Sequence, residues 1–447
     1  MKKFGIKAVA ALAVLAAGAV GGAHVLTSAR KTDAAGVDLA DRSLAEAGAY
    51  IARTGDCVAC HSAPGGKPFA GGLAMQTPVG TIYSSNITPD KTAGIGSYAY
   101  ADFKNAVQYG IRKDGTPLYP AMPYPSYAIM PDEDVRALYA YFMTRVQPEA
   151  QPSAGSTIPW PLNMRWPMAW WQALFAPKRG FAAPSGADER VARGAYLVEG
   201  PGHCGACHTP RGLAYQEKAL SLADGDAFLS GAVIDGWRAK SLRGEAQGLQ
   251  SWSEGEIGMF LKTGRTDKVA AFGAMADVVE HSTRHFTDGD IAAVAAYLKQ
   301  LPPAQGKLPA FPPKQDATTA MLREGRYDSR GAVIYMEQCA ACHRADGQGM
   351  PRIFPALAGN SAVYAQNAQS IIQITLEGGR MPSSGQDAMA FAMPGFRRLS
   401  DRDIADVINF IRTAWTNQAP AVAESDVAHI RAFLAGKQPN IVAGGAQ

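Results

Sequence analysis

Six cysteines occur in this 447-residue chain, and they fall in only three places, always as two cysteines separated by two residues and followed by histidine. The copies are Cys57-Val58-Ala59-Cys60-His61, Cys204-Gly205-Ala206-Cys207-His208 and Cys339-Ala340-Ala341-Cys342-His343. On a helical turn, residues i, i+3 and i+4 share a face, so both thiols and the imidazole of each copy project together. Cys-x-x-Cys-His is the attachment sequence for c-type haem. The thiols reach its vinyl groups while the imidazole approaches the iron. Zinc held by thiolates needs two such pairs per metal, and three pairs do not divide evenly. A redox dithiol of the thioredoxin kind needs a βαβ context, which the pattern lacks. Three disulfides, the ordinary reading for an exported chain, leave the spacing and the histidines unexplained. The motif therefore predicts three covalent haems c on Cys57, Cys60, Cys204, Cys207, Cys339 and Cys342, with His61, His208 and His343 on the irons.

Longer repeats surround the motifs and divide the chain. Upstream stand Gly48-Ala49-Tyr50-Ile51, Gly194-Ala195-Tyr196-Leu197 and Gly331-Ala332-Val333-Ile334. Downstream stand Asp132-Glu133-Asp134-Val135, Asp288-Gly289-Asp290-Ile291 and Asp401-Arg402-Asp403-Ile404. Each downstream copy opens an amphipathic helix, with apolar residues at helical spacing: Val135, Leu138, Phe142; Ile291, Val294, Leu298; Ile404, Val407, Ile411. Thr287 to Asp290 and Ser400 to Asp403 are expected to form capping boxes with Asp in the Glu place. An aromatic recurs at one helical position, as Tyr141, Tyr297 and Phe410. The unit is an opening helix, the thiol turn, an irregular loop and a closing helix, with small residues on the first helix where the second crosses it. This resembles the class I cytochrome c fold, and the expected architecture is all-α, three tandem domains each around one haem. The boundaries are a signal peptide or N-terminal membrane anchor at 1–35, domain one at 36–150, a Trp/Pro-rich linker at 151–183, domain two at 184–305, domain three at 318–420 and a weakly patterned tail at 421–447. In that tail a helix from Asp426 to Leu434 is considered and the last residues are expected to be disordered. Length alone also suggests about three domains.

An iron with histidine on one side takes a second axial ligand or stays open for chemistry. Domain one holds no histidine besides His61, which excludes a second imidazole unless His24 or another domain reaches in; methionine is the natural alternative, and Met75, Met122, Met130 and Met143 are the candidates. Met122 leads, in a Pro-stiffened Tyr119-Pro120-Ala121-Met122-Pro123 loop just before the closing helix, with Met130 next and Met143 read as core. The same position gives Met393 in domain three, with Met381 as its competitor. In domain two Met275 leads, with His281 and His285 competing. His203, directly before Cys204, is badly aimed for the same iron and is read as a surface residue. His429 is read as solvated.

The N-terminus has the pattern of an export signal: Lys2, Lys3 and Lys7 precede an uncharged apolar run from Ala8 to Leu26. The run is long for a cleaved signal and just long enough to span a bilayer, so cleavage and retention both stay open. A net charge of +4 and the lack of a dense basic run after residue 31 speak against a nucleic-acid partner. In the linker, Trp160, Trp166, Trp170 and Trp171 crowd with Met164, Leu174 and Phe175. Aromatics at this density mark a partner or membrane edge, or a linker packed on its own domains.

Several stretches carry a closer resemblance. They are Thr81-Ile82-Tyr83-Ser84-Ser85-Asn86-Ile87-Thr88-Pro89-Asp90, Arg112-Lys113-Asp114-Gly115, Tyr119 to Ser126, Met164-Arg165-Trp166-Pro167, Gly200 to Gly212 and Phe272 to Val279. Over about residues 40–420 the chain resembles the triheme cytochrome c subunit of the membrane-bound alcohol, aldehyde or sugar dehydrogenases of acetic acid bacteria and their relatives. The resemblance implies a large partner subunit carrying pyrroloquinoline quinone, FAD or molybdopterin, a small third subunit, and ubiquinone as electron acceptor. It also implies residence at the periplasmic face of the inner membrane and no catalytic residue in this chain. Alcohol or aldehyde oxidation is the expected reaction of the partner. Two other functions are weighed: a multihaem peroxidase or reductase with one open iron, against which a methionine in every domain argues, and a free periplasmic shuttle. Phosphate loops and Ser/His/Asp arrangements are not apparent.

Overall fold

The structure, a computed structural model, describes residues 2–32, 34–304, 316–383 and 389–436. The expected disorder of the last residues falls on 437–447, outside the described residues. Three helix crossings organise the chain: Arg42–Thr54 against Asp132–Thr144, Glu189–Glu199 against Asp288–Gln300, and Arg330–Gln338 against Asp401–Thr413. A glycine marks each crossing point. A Cβ would stand 1.9 Å from the Ala137 carbonyl oxygen at Gly48, 2.0 Å from that of Ala293 at Gly194 and 2.2 Å from that of Asp406 at Gly331. Only a hydrogen fits, so the closing helix lies directly on the opening helix. The next atoms over these glycines are the Cβ atoms of Tyr141, Tyr297 and Phe410, at 2.8, 2.9 and 2.9 Å. The recurring aromatic is therefore the residue that roofs the crossing.

The apolar faces of the closing helices go where their spacing puts them. Val135, Leu138, Phe142, Ile291, Val294, Leu298, Ile404, Val407 and Ile411 are all buried, in three separate core clusters. Each such burial stabilises by about 1.5–3 kcal/mol. Asp41, Asp188 and Ser329 cap the opening helices by accepting main-chain N–H bonds. Thr287 and Ser400 cap the second and third closing helices, accepting from the N–H groups of Asp290 and Asp403. The expected return arm of each capping box is diverted. The Asp290 carboxylate takes the Arg193 guanidinium at 2.8 and 2.9 Å, and that of Asp403 takes Arg330 at 2.9 Å. A fixed cation beside a carboxylate outcompetes a neutral N–H.

The architecture departs from all-α in three short antiparallel ribbons: Ala74–Thr77 with Gly80–Tyr83, Ala232–Ile234 with Trp237–Ala239, and Gly379–Arg380 with Ala392–Met393. The second turns through Asp235 and Gly236 with φ of 50° and 83°, the two left-handed residues that an Asp-Gly hairpin needs. Beyond residue 420, the helix Glu424–Gly436 buries Val427, Ile430 and Leu434 in the third core.

The N-terminal helix Lys2–Arg30 packs on the linker helix Pro167–Phe175. Trp170 Nε1 donates to the Ala19 carbonyl at 3.1 Å, and Arg30 donates to that of Gln172 at 3.2 Å. Trp171 is buried and bonds the Ala214 carbonyl at 2.8 Å, whereas Trp160 is 78% and Leu174 72% exposed. The linker thus packs on its own domains along one side, as one of the two readings of its aromatics expects, while the other side is exposed. Among the described residues, no helix is long and apolar enough to cross a membrane.

The crossing makes a direct forecast. Gly331→Ala is expected to cost about 1–3 kcal/mol or more, because rigid backbone must move to admit the methyl group. Gly36→Ala, with nothing near its Cβ position, should be neutral. The shift in urea midpoint of the third unit's transition measures the first substitution, and that of the first unit's transition the second.

Candidate functional site

The three thiol turns are local helices positioned by the ends of the opening helices. After Thr54 the chain passes Gly55 and then Asp56, in the left-handed region at φ 49°, before the turn Cys57–Cys60. The second unit repeats this with His203 at φ 35° ahead of Cys204 and the turn Gly205–His208. The third runs from Gln338 into Cys339 without a left-handed residue, at φ −119°. In all three the histidine N–H bonds back to the first cysteine's carbonyl, at 2.9 Å for His61 and 3.0 Å for His208 and His343. That bond fixes thiol and imidazole on one face, as the spacing requires.

Each imidazole is then held from behind. Nδ1 meets a main-chain oxygen at 2.7 Å from Ser85 for His61, 2.7 Å from Lys240 for His208 and 3.0 Å from Pro355 for His343. A carbonyl can only accept, so the proton belongs on Nδ1, and Nε2 carries the free lone pair. This is the arrangement that orients and strengthens a metal-ligating imidazole. Burial keeps the rings neutral: it lowers His61 and His343 and pushes His208 down to about 4. Burial acts oppositely on the thiols, raising Cys57, Cys204 and Cys339 to about 12 and Cys60 and Cys207 to about 11. All six cysteines are unpaired. Among the described residues there is no cluster of three or more metal-binding side chains. Neutral thiols in twos beside one neutral imidazole suit thioether attachment of a porphyrin. A thiolate zinc centre would need two such pairs on one metal.

The candidate second ligands are placed as follows. Met122 is half-buried between the first core and the cluster of Tyr124, Trp171 and Ala176. Met130 is buried in the first core, and Met143 lies partly buried on the closing helix. Met75 sits in the first ribbon opposite Ile82. Met275 opens the helix Ala274–His281, which packs on the Cys57–Cys60 turn of the neighbouring unit. His281 and His285 are both exposed. Met393 lies in the third ribbon against the third core, while Met381 is buried with its N–H on the Phe391 carbonyl at 3.0 Å. His429 and His24 are exposed.

His203 is not a surface residue. It is half-buried, its Nε2 lies 3.2 Å from the Gly55 carbonyl oxygen, and its ring meets that of Tyr127 edge-on at 5.7 Å. This contact belongs to a seam between the first and second units. Across it Tyr50 donates to Asp290 at 2.5 Å, and Tyr196 donates in return to Asp134. Each tyrosine follows its crossing glycine by two, and each aspartate is the second of its Asp-x-Asp repeat. The two units therefore clasp reciprocally. Val333 stands at the matching place in the third unit and cannot join such a clasp. Sequence reasoning found every element of this pattern and missed that the copies pair with one another.

The family model for cytochrome c matches residues 45–145, 191–302 and 329–415. The cytochrome c subunit of alcohol dehydrogenase (quinone) from Gluconacetobacter polyoxogenes is 54% identical over 404 residues, 88% of this chain and 85% of that protein. The gluconate 2-dehydrogenase cytochrome c subunit of Pantoea cypripedii is 51% identical over 401 residues, 88% of this chain and 91% of its own. The alcohol dehydrogenase (quinone) cytochrome c subunit of Gluconobacter oxydans is 48% identical over 398 residues, 88% of this chain and 83% of its own.

The clasp is open to a double-mutant cycle. Tyr196→Phe and Asp134→Ala should each destabilise the paired units by about 1–2 kcal/mol through a stranded partner. Together they should cost clearly less than the sum. Additive losses in chemical denaturation of the haem-loaded protein would show that the two groups act independently.

Proposed function

Because the chain belongs to the cytochrome c family, among the cytochrome c subunits of membrane-bound dehydrogenases, we propose that it carries three covalent haems c. Through them it passes electrons from a dehydrogenase subunit to ubiquinone at the periplasmic face of the inner membrane. The observation that carries this is the threefold pairing of a Cys-x-x-Cys-His turn with a main-chain carbonyl behind its imidazole. Cys57 and Cys60, Cys204 and Cys207, and Cys339 and Cys342 are the thioether positions. His61, His208 and His343 would hold the irons through Nε2, and Met122, Met275 and Met393 would supply the sulfur ligands. The domains are taken as 36–150, 184–305 and 318–420, joined by the linker 151–183.

When bound, each haem supplies an iron that cycles between ferrous and ferric states without changing its ligands. The protein's part is to hold that iron. Neutral imidazoles tied at Nδ1 cannot rotate or protonate away, and a thioether opposite raises the potential relative to a second imidazole. Methionine at all three irons leaves no position for a substrate, so the oxidation belongs to the partner subunit. The relatives' names cover alcohol and gluconate dehydrogenases, which supports a reading in which the partner subunit chooses the substrate. Alcohol or aldehyde is the substrate class favoured for it here. Pyrroloquinoline quinone, molybdopterin and FAD are the cofactor types open to it, and a small third subunit completes the assembly. The linker helix that presents Trp170 and Leu174, packed beside the N-terminal helix, is assigned to the membrane edge; that helix serves as export signal or as anchor.

Two measurements test this reading. The intact mass of the mature protein should include three covalent haems, and Cys339→Ser with Cys342→Ser should leave two; a wild-type protein without covalent porphyrin would overturn the assignment. Membranes lacking the chain should lose oxygen-linked alcohol or aldehyde oxidation while dye-linked dehydrogenase activity, read at the catalytic subunit itself, survives. Avid carbon monoxide binding to the native reduced protein would instead favour an enzyme with an open iron.

A further inference from the structure

The seam between the first two units joins the segments that lead into their thiol turns. Gly55 lies two residues before Cys57, and His203 lies directly before Cys204. Gly55 is buried, and its carbonyl receives two donors, the Tyr127 hydroxyl at 3.0 Å and His203 Nε2 at 3.2 Å. Ser282 Oγ donates to the adjacent Thr54 carbonyl at 3.2 Å from the second unit. Burial lowers the His203 pKa, so its ring is neutral and Nε2–H is the donor. The His203 backbone is left-handed at φ 35°, where histidine is tolerated better than most residues but still at a cost. The left-handed residue at the entrance of the turn has its side chain on the first unit, against Gly55 and Tyr127. Behind it, Ile129 of the first unit packs against Gly200 at the end of the second unit's opening helix and joins that unit's core. Cys60 of the first unit stands close enough to Cys207 of the second for a charge there to raise its pKa.

We propose that His203 is the positioning residue that registers the first haem against the second. Its Nε2–H on the Gly55 carbonyl ties the two attachment segments so that electrons cross directly between units one and two. The path runs through the Cys57 backbone to Gly55, over one hydrogen bond, and through His203 into Cys204. In the step one electron leaves the ferrous iron of one unit and reduces the ferric iron of the other; no bond breaks and no proton moves. The electrons are those of the proposed dehydrogenase reaction, and the inference rests on the haem assignment above.

The test uses the full-length protein with three haems verified by mass and needs no dehydrogenase. A single-electron pulse reduces one haem, and the redistribution between units one and two is followed in the visible bands. His203→Phe keeps the ring on Tyr127 and loses the donor. His203→Asn suits the left-handed backbone but is too short to reach Gly55. Both should slow redistribution at least about tenfold, as loss of ångström-scale register does in other positioned reactions. His203→Gln, which restores an amide donor, should recover most of the rate. Ser282→Ala, which removes a bond from the same seam without touching His203, should stay within about twofold of wild type. Wild-type redistribution in fully loaded His203→Asn would overturn the inference, as would equal slowing in Ser282→Ala or no recovery in His203→Gln. Absence of covalent haem in the wild type would instead overturn the assignment beneath it.

Discussion

A neutral imidazole tied by its Nδ1–H to a main-chain carbonyl can offer its other nitrogen in one direction only, and each unit is arranged around one such ring. The ring is set from two sides. The thiol turn carries it on a local helix that ends where the opening helix ends, and the carbonyl comes from a loop further along the chain: Ser85, Lys240 or Pro355. Both sides must be rigid for the direction to be kept. The glycine crossing supplies that rigidity by seating the opening helix on the closing helix with no side chain between them. A flexible imidazole would offer its free nitrogen in no fixed direction, so the helix crossing and the aim of the ring are parts of one construction.

Much of this is legible in the residues because it is local or repeated. Cys-x-x-Cys-His states its geometry within five positions. The three closing helices announce themselves by Asp-x-Asp and a run of apolar residues at helical spacing, and all nine of the named apolar positions are buried. The glycines were also readable, since a small residue repeated at one helical position implies a close neighbour. The Asp235-Gly236 ribbon carried a plain hairpin signal that the helical rhythm of its surroundings obscured. What the sequence did not disclose is long-range pairing between copies. Asp290 looks like a capping residue until Arg193 and Tyr50 reach it, and His203 looks like a spare histidine until the Gly55 carbonyl, 148 positions away, accepts its N–H. Nothing in local pattern distinguishes a tyrosine that serves its own unit from one that serves the next.

The units are copies of one another, but they are not equivalent neighbours. The first two share a left-handed residue before the thiol turn and a ribbon before the anchoring carbonyl, and each lends the other a tyrosine. The third has Val333 in place of that tyrosine, no left-handed entry, and a ribbon that carries Met393 instead. A repeat that had to pair with a like repeat kept the tyrosine. One that packs differently had no use for a polar group at that place, where an unpaired hydroxyl would cost stability.

How the third unit does attach follows from the other side of the second. Lys240 gives its carbonyl to His208 and extends its amine to Ser361 of the third unit at 3.2 Å. Directly after Pro355, whose carbonyl anchors His343, the Ala356 N–H bonds the Lys268 carbonyl of the second unit at 2.9 Å. Arg265, buried in the second unit, donates to the Pro382 and Met389 carbonyls of the third at 2.7 and 2.6 Å. The seam between units two and three therefore includes the loops behind the imidazoles, whereas that between units one and two joins the helix clasp to the segments entering the thiol turns. The middle unit meets its neighbours through two different parts of one site, its thiol entrance on one side and its imidazole anchor on the other. A shift in either seam would be felt at His208 or at its paired thiols first. That places the second unit where a relay between unlike neighbours would have to stand, with its geometry fixed by both.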